Sequence, residues 1–269
     1  SFNNYSDIYS SLDILSYFKK SNTTVIIKHG NPCGVSSNRS RLLSFKNAFA
    51  CDPVSAFGGI IACNFKIDKK TATEITKNFC EVVVSKGFDK QALNILKSKK
   101  NLRLINFSKY KSLNKTITKF FDNSFLMQDK NLRIMDSKKL RFVSKIKPSS
   151  KDLKELEFAN KVCKFVKSNA IVITKDMSTI GIGAGQPSRL DSCKIAIQKA
   201  RIFRKNKVKN SYAASDAFFP FRDGIKTLAK AGVKNVVQPG GSLKDKEVIE
   251  EADNNKIKMI LTGLRHFNH

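Results

Sequence analysis

The 269-residue chain carries 50 Lys and Arg residues against 22 Asp and Glu residues, which gives a formal net charge of +28. With 41% hydrophobic and 27% charged residues, its composition is that of a globular protein and excludes a largely disordered one. No apolar run approaches the roughly 20 residues that cross a bilayer, and the first residues do not form a signal peptide, so we expect a cytoplasmic protein.

The basic charge raises the question of a nucleic-acid partner. The surplus is spread along the chain, as in 97–100, 109–119 and 201–209, and no recognisable nucleic-acid module accompanies it. Trp is absent, whereas Lys, Asn, Ile and Phe are frequent, a bias typical of an AT-rich coding sequence. The pattern favours solvated charge, with a basic nucleic-acid-binding protein as the alternative. A small anionic substrate is compatible with either.

The six cysteines form no CxxC pair, which predicts small buried side chains in a reducing compartment; they are Cys33, Cys51, Cys63, Cys80, Cys163 and Cys193. The segment Pro32–Ser36 resembles part of a zinc-deaminase signature but lacks its second cysteine. Asn31 stands where that signature requires a carboxylate. The sequence therefore predicts no zinc site.

The first half of the chain alternates helices with short apolar strands. The periodicity predicts helices near 7–20, 40–51, 69–79 and 89–98, and strands at 24–27, 60–62, 81–84 and 102–105. The segments 28–34 and 55–59 are rich in Gly, Pro or small residues and are predicted to be loops. Loops that follow strands are where α/β folds usually place their chemistry.

A lysine-rich, weakly periodic stretch at 109–148 separates the halves, and we expect a boundary between domains 1–147 and 148–269. The second half predicts helices near 152–168, 188–203, 224–231 and 245–254, and strands at 170–173, 179–182, 235–238 and 259–261. Both halves repeat strand, loop and helix, although no sequence repeat is visible. The alternation indicates an α/β layer structure.

Lys28 and His29 stand together at a predicted strand end, where a paired general acid and base would reach a substrate. The alternative is a surface lysine beside a hydrogen-bonded loop histidine. The residues alone leave both interpretations open.

A second glycine-rich segment, Gly181–Gln186, follows a strand and precedes a helix, so its backbone amides could bind an anion. It is neither a Walker loop nor a dinucleotide fingerprint, and a tight turn is the alternative. Arg189, in the first turn of the next helix, could bind a carboxylate or phosphate.

Three phenylalanines lie among two aspartates in Ser215–Gly224. Such a cluster is either core or a stacking wall for a flat heterocycle, with Asp223 as an acceptor for ring nitrogens. Gln238–Ser242 is a further loop at a strand end. Arg265, His266 and His269 make the tail dense in functional groups, as in a tail held in a site.

These strings occur together in the order and spacing of one family. They are Lys28–Gly34, Ser55–Ala62, Lys167–Ala170, Gly181–Arg189, Ser215–Gly224, Gln238–Ser242 and Arg265–His269. Over residues 1–269 the chain resembles the region of the bifunctional purine-biosynthesis enzymes that formylates aminoimidazole carboxamide ribonucleotide (AICAR). It is identified as a member of that transformylase family.

The resemblance implies two tandem α/β/α domains of cytidine-deaminase-like fold without zinc. It also implies formyl transfer from the co-substrate 10-formyltetrahydrofolate to the exocyclic amine of AICAR, on the route to inosine monophosphate. Family members are homodimers with shared active sites, so this chain alone would hold incomplete sites. No metal or membrane is implied.

By similarity, His29 handles the proton at the nucleotide, Lys28 assists proton delivery toward the folate, and Asn169 orients the formyl oxygen. The positions that match AICAR-binding residues are His29, Gly58, Glu81, Asn169, Arg189, Phe218, Arg265 and His269. Those that match the folate side are Leu190, Asp223 and Ser242.

The chain departs from the family pattern at its start. An Arg-Tyr-Gly-Glu-Asn-Pro-His segment and the cyclohydrolase domain of the family precede the matched region and are not in this sequence. The Arg and Tyr help to hold the nucleotide, so we expect weak AICAR binding unless that segment is supplied. The alternatives are a catalytically silent fragment and an enzyme that works with a separate cyclohydrolase chain.

Overall fold

The computed structural model describes residues 1–110 and 115–269; residues 111–114 of the lysine-rich stretch lie outside it. The helices are α1 (Phe2–Ser16), α2 (Arg41–Phe49), α3 (Pro53–Ala56), α4 (Lys69–Ile75), α5 (Lys90–Lys97), α6 (Ser150–Cys163), α7 (Arg189–Arg204), α8 (Asp223–Ala231) and α9 (Asp245–Asn254). The strands are β1 (Asn22–Lys28), β2 (Asn31–Asn38), β3 (Ile60–Cys63), β4 (Val82–Ser85), β5 (Arg103–Asn106), β6 (Thr116–Phe121), β7 (Ser124–Asp129), β8 (Arg141–Phe142), β9 (Ile171–Lys175), β10 (Ser178–Gly183), β11 (Ser211–Ser215), β12 (Val233–Gln238) and β13 (Lys258–Leu261).

Eleven strands form one mixed sheet in the order β5-β4-β3-β1-β2-β10-β9-β11-β12-β13-β8, and β6 pairs with β7 in a separate hairpin. Helices cover both faces of the large sheet. The predicted α/β class is confirmed.

The topology of the first half is repeated in the second. β1 pairs antiparallel with β2 and β3, and β3, β4 and β5 are parallel. In the same way β9 pairs antiparallel with β10 and β11, and β11, β12 and β13 are parallel. α1 and α6 precede the two hairpins, and α2 and α7 follow them. A repeated chain path therefore underlies halves between which no sequence repeat is visible.

The halves meet where β2 lies beside β10. Ser37 N donates to Met177 O at 2.9 Å, and the hydroxyls of Ser36 and Ser178 are 2.8 Å apart. Below this seam, α1 and α6 pack into one hydrophobic cluster that includes Leu12 and Leu156. The opposite face has one cluster under α2, α4 and α5 and another under α7, α8 and α9.

Glycines let α2 and α7 lie close against the sheet. A Cβ on Gly34 of β2 would be 1.9 Å from Ala48 O, and one on Gly181 of β10 would be 2.1 Å from Ala196 O. Both distances are far below van der Waals contact, so only Gly fits at either position. The two glycines occupy equivalent places in the repeated hairpins.

The prediction of a loop over 28–34 was wrong. His29 and Gly30 alone make the turn, and β2 begins at Asn31. Pro32 and Gly34 read as loop formers, yet both lie in the strand, and the register shifts by one residue at Cys33. A β-bulge accommodates such residues in a strand that is otherwise buried.

Other differences have local causes. The sequence did not predict β11, because its small residues lack the apolar run of a typical strand, although all five are buried. It also missed β6 and β7, whose residues are all exposed. Helix α6 begins at Ser150 rather than near 152, because Ser149 and Asp152 form a capping box in which each accepts the other's backbone N–H.

Candidate functional site

The turn between β1 and β2 carries the predicted acid–base pair. Lys28 is the last residue of β1, and His29 and Gly30 have φ angles of 54° and 73°. Two-residue hairpin turns of this kind favour Asn, Asp or Gly, and positive φ is uncommon for other residues, although His tolerates it better than most. The bonds that His29 makes to its surroundings therefore help to fix this conformation.

Asp7 of α1 holds this turn. Its two carboxylate oxygens accept hydrogen bonds from the backbone N–H groups of His29, at 3.0 Å, and Gly30, at 2.7 Å. The Asp7 side chain is buried among the residues of α1 that face the sheet. Sequence analysis did not find this residue, although an aspartate on the buried face of an amphipathic helix was a usable signal.

His29 borders two cavities. One, of about 440 Å³, is lined by polar residues of α1 together with His29 and Lys167. The other, of about 410 Å³, is lined by Lys28, His29, Gln186 and Lys199. Three ammonium groups thus border these spaces, an arrangement that suits an anionic ligand.

Burial sets the chemistry of two groups at these cavities. Burial, and to a smaller extent the Lys119 ammonium, lowers the pKa of Lys167. Burial raises the pKa of the Cys33 thiol to about 12, so this cysteine stays protonated and is a poor nucleophile. The turn itself carries two acid–base groups, Lys28 and His29.

Gly58 lies close to Lys28, and Glu81 lies beside the residue that follows Gly58. Lys28 Nζ donates to Phe57 O at 2.6 Å, and a Cβ built on Gly58 would be 4.0 Å from the same Nζ. The backbone N–H of Glu81 donates to Gly59 O at 3.3 Å. Glu81 Oε2 accepts from Asn4 Nδ2 at 2.9 Å. The structure therefore brings together four predicted site residues of the first half.

Asn169 and Arg189 form a second group, built around the buried carboxylate of Asp216. Arg189 Nη2 donates to Asn169 Oδ1 at 2.5 Å, and Nη1 donates to Ser215 Oγ at 2.7 Å and to Asp216. Asp216 also accepts from the hydroxyl of Ser168 and from the backbone N–H of Ala170. Three hydrogen-bond acceptors thus hold the guanidinium of Arg189 in place. Sequence analysis did not single out Asp216 in this role.

The amide of Asn169 is fully engaged. Its Nδ2 donates to Gln186 O at 2.8 Å and to Pro187 O at 2.9 Å, and its Oδ1 accepts from Arg189. Gln186 also lines the cavity beside His29, so it lies between the two groups of site residues. Both N–H groups of the Asn169 side chain therefore have partners before any ligand binds.

A third cavity, of about 530 Å³, is bordered by predicted residues of the second half. They are Asn169, Arg189, Leu190, Phe218 and Asp223. The aromatic cluster divides at this wall: Phe219 is 1% exposed and packs in the core, whereas Phe218 is 37% exposed and lines the cavity. Phe219 is therefore core, and a stacking role for Phe218 stays a prediction.

The carboxy-terminal tail is held against these cavities. Ser168 N donates to Asn268 O at 2.9 Å, and Phe267 lines the cavity of Phe218. The guanidinium of Arg265 lies 5.2 Å from the centre of the Phe267 ring, and the His269 ring lies 5.6 Å from it. Arg265 and His269 are therefore placed beside the second group.

Ser242 is not brought to any of the three cavities. It lies in the loop after β12, and its hydroxyl accepts from Lys244 N at 3.1 Å. Within residues 1–110 and 115–269, no three His, Cys, Asp or Glu side chains are arranged to hold a metal ion. No helix in this part of the chain is long and apolar enough to cross a membrane.

Comparison with known proteins gives consistent matches. The family model described as AICARFT/IMPCHase bienzyme matches residues 1–199. Proteins named bifunctional purine biosynthesis protein PurH are 45% identical in Leptospira biflexa serovar Patoc, 46% in Aquifex aeolicus and 46% in Buchnera aphidicola subsp. Schizaphis graminum. Each alignment covers 100% of this chain and 51–52% of the relative.

The chain thus spans about half the length of the curated relatives it matches. The family model covers most of the chain and includes the β1–β2 turn, Asn169 and Arg189. The sequence resemblance, the family model and the full-length alignments agree, and the chain belongs to the AICARFT/IMPCHase family.

Proposed function

We propose that this chain transfers the formyl group of 10-formyltetrahydrofolate to the exocyclic amine of AICAR, giving formyl-AICAR and tetrahydrofolate. Family membership supports this proposal. The observation that carries it is the Arg189–Asn169 pair at the wall of a cavity that also has an aromatic face, Phe218, and a carboxylate, Asp223. Such a cavity offers stacking and hydrogen-bond acceptance to flat heterocycles.

The amine of AICAR is a poor nucleophile, because its lone pair is delocalised into the imidazole and carboxamide. A bond must form between this nitrogen and the formyl carbon, and the bond from that carbon to the folate nitrogen must break. One proton moves from the amine to the departing folate nitrogen. His29 takes the proton at the nucleotide, and Lys28 assists its delivery toward the folate.

Asn169 orients the formyl oxygen and stabilises the negative charge that develops on it. Because both of its side-chain N–H groups donate to backbone carbonyls, one of these bonds must be exchanged when substrate binds. Arg189 fixes the amide through Oδ1 and so keeps Nδ2 directed to one side. Stabilisation of the oxyanion therefore depends on the Arg189–Asn169 contact.

The remaining assignments divide the candidate site residues between the two substrates. We assign AICAR to His29, Gly58, Glu81, Asn169, Arg189, Phe218, Arg265 and His269. We assign the folate to Leu190, Asp223 and Ser242. Asp223 would accept hydrogen bonds from the pterin ring, and Ser242, which lies apart from the cavities, would reach the folate only from its loop.

We further propose that two copies of the chain share their sites. In one chain, Lys28 and His29 border different cavities from Asn169 and Phe218. Aromatic side chains beside Lys28 are exposed, Phe57 by 59% and Phe79 by 52%, as expected for a surface that a partner covers.

The repeated topology supports a finer description of the fold. Each half has a helix, a hairpin and three further strands with the same pairing, as in two tandem cytidine-deaminase-like domains. We place them at 1–147 and 148–269.

Formyl transfer is tested by incubating the protein with AICAR and 10-formyltetrahydrofolate and measuring release of tetrahydrofolate. We expect Lys28→Ala and His29→Ala to lower kcat by at least about 100-fold. Lys175→Ala is the matched control, because Lys175 ends β9 as Lys28 ends β1. Unchanged activity in the first two variants would reject the assigned roles. Absence of release by the unsubstituted protein would instead favour a catalytically silent chain.

Shared sites are tested by mixing inactive His29→Ala and Asn169→Ala chains after mild unfolding and reassociation. If each site takes His29 from one copy and Asn169 from the other, half of the dimers are mixed and carry one intact site. About a quarter of the wild-type activity should then return. If each site lies within one chain, no activity returns, and size-exclusion measurements of the mixture show whether dimers formed.

A further inference from the structure

The second half of the chain contains a copy of the β1–β2 turn that keeps the lysine but lacks the histidine. Lys28, His29 and Gly30 correspond to Lys175, Asp176 and Met177, which also follow the first strand of a hairpin. Asp176 and Met177 both have φ angles of 53°, close to the 54° of His29. Each hairpin also has a β-bulge five residues after its lysine. The two turns therefore have the same backbone form.

Each turn is held by one carboxylate from the helix that precedes it. Asp7 is the sixth residue of α1, and Glu155 is the sixth residue of α6. Asp7 accepts from His29 N and Gly30 N, and Glu155 accepts from Met177 N at 3.0 and 3.1 Å. Both side chains are buried, 8% and 4% exposed. A buried helix carboxylate thus holds both turns, one that carries the proposed catalytic residues and one that has no assigned role in catalysis.

We propose that Asp7 is a positioning residue for formyl transfer, one that fixes the Lys28–His29 turn through its two backbone amides. This inference rests on the proposed function. His29 is held at a positive φ that its side chain disfavours, so its place depends on the bonds that retain the turn. Two charge-assisted hydrogen bonds from one carboxylate retain it in a single conformation.

The position of Asp7 makes this role specific. Asp7 borders the same cavity as His29 and Gly30, so the turn and the carboxylate that holds it enclose one space. A shift of the turn would move the imidazole and the adjacent Lys28 ammonium together. Proton transfer is sensitive to such shifts, because donor and acceptor must come within hydrogen-bond distance. Binding of substrate by the second group of residues would be little affected.

The test compares Asp7→Asn and Asp7→Ala with the matched variants Glu155→Gln and Glu155→Ala in the complete chain. Amide hydrogen exchange of the turns is measured without substrate. We expect Asp7→Ala to speed exchange at His29 and Gly30 by roughly ten-fold or more, and Glu155→Ala to do the same at Met177. Asp7→Asn, which keeps one acceptor oxygen, should give an intermediate effect.

Kinetics then separate positioning from stability. We expect the Asp7 variants to lower kcat by at least about ten-fold with KM for AICAR within about two-fold, because the loss falls on the proton-transfer step. The Glu155 variants should lower the melting temperature about as much as the Asp7 variants do, but should leave kcat within about two-fold of wild type.

The proposal is overturned if exchange at His29 and Gly30 does not change in Asp7→Ala. It is also overturned if kcat of the Asp7 variants stays near wild type, or falls no more than in the Glu155 variants. If the unsubstituted protein releases no tetrahydrofolate, the proposed function fails and positioning for that reaction fails with it. Faster exchange in that case would leave Asp7 as a purely structural support of the turn.

Discussion

Arg189 Nη2 donates a 2.5 Å hydrogen bond to Asn169 Oδ1, and the same guanidinium is paired with the fully buried carboxylate of Asp216. A residue assigned to substrate binding therefore also holds a residue assigned to catalysis and neutralises a charge in the core. Substitution of Arg189 should act on stability and on the geometry of the amide together.

Replacing Arg189 by Met should destabilise the protein strongly. It leaves the Asp216 carboxylate buried without its cation, a loss that typically costs about 3–5 kcal/mol. The free energy of unfolding, measured by urea denaturation, should fall by this order. Lys194→Met on the same helix is the control, because Lys194 and Asp191 form an exposed pair, 60% and 52% accessible, whose loss should cost less than about 1 kcal/mol. Equal losses in the two variants would contradict the role of the buried pair.

Truncation of two adjacent phenylalanines should have different effects, one mainly on stability and the other mainly on binding. Phe219→Ala removes a fully buried ring and should lower the free energy of unfolding by about 3–5 kcal/mol. Phe218→Ala, at the cavity wall, should cost much less stability but weaken AICAR binding by roughly ten-fold through lost stacking. Calorimetric titration of AICAR and thermal denaturation of both variants provide the two readouts. Normal affinity in Phe218→Ala would remove this ring from the binding site.

The close approach of α2 to β2 predicts a severe effect of a single methyl group. Gly34→Ala would place a Cβ 1.9 Å from Ala48 O, so the helix must move, and we expect a loss of at least about 2–3 kcal/mol. Gly263→Ala is the control: Gly263 has a φ of 65° but open space around it, so only the backbone cost of about 1 kcal/mol applies. A loss in Gly34→Ala no larger than in the control would show that α2 does not pack as described.

His266 should make stability and tail order depend on pH. Burial of the ring, reinforced by the Lys164 ammonium and only partly offset by Asp216, lowers the pKa of His266 from 6.5 to about 4. The unfolded chain therefore takes up a proton below pH 6.5 that the folded protein binds only near pH 4. The contribution of this histidine is fully present above pH 6.5 and is lost as the pH falls toward 4.

Urea denaturation at several pH values between 7.5 and 4 checks this expectation. The slope due to one group is at most about 1.4 kcal/mol per pH unit. His266→Gln should flatten the profile. The protection of the amides of residues 264–269, taken relative to their intrinsic exchange rates at each pH, should be lower in the wild type at pH 5 than at pH 7. An identical slope in wild type and variant would show that other groups control the pH dependence.

The element order of both halves could be predicted because apolar periodicity and Gly or Pro boundaries mark it clearly. β2 could not, since Pro32 and Gly34 are loop formers whose tolerance in a strand depends on a bulge and on the nearby helix α2. β11 is held by its neighbours in the sheet rather than by its own small residues. Long-range pairing decided both strands, and sequence periodicity does not contain that information.

Some residues of the candidate site could likewise be predicted from the sequence, and others could not. Lys28, His29 and Arg189 were candidates from their positions at a strand end and in the first turn of a helix, and the family resemblance gave them roles and added Asn169. Asp7 lies in no such string, and Asp216 lies inside the Ser215–Gly224 string but was given no role there. The importance of both arises from contacts with residues 22 and 27 positions away along the chain. A charged residue at a buried position of a helix or strand end was the signal available, and the structure was needed to identify what it contacts.

The hydrophobic cluster under α1 and α6 limits how the halves can be used separately. Leu12 and Leu156 belong to that one cluster, so a cut between 147 and 148 would expose apolar surface on both pieces. The halves share a chain path, yet neither could be transferred alone to another protein unless its residues in this cluster were replaced by polar ones. The two halves thus share one buried cluster, although only one of their two equivalent turns carries the histidine.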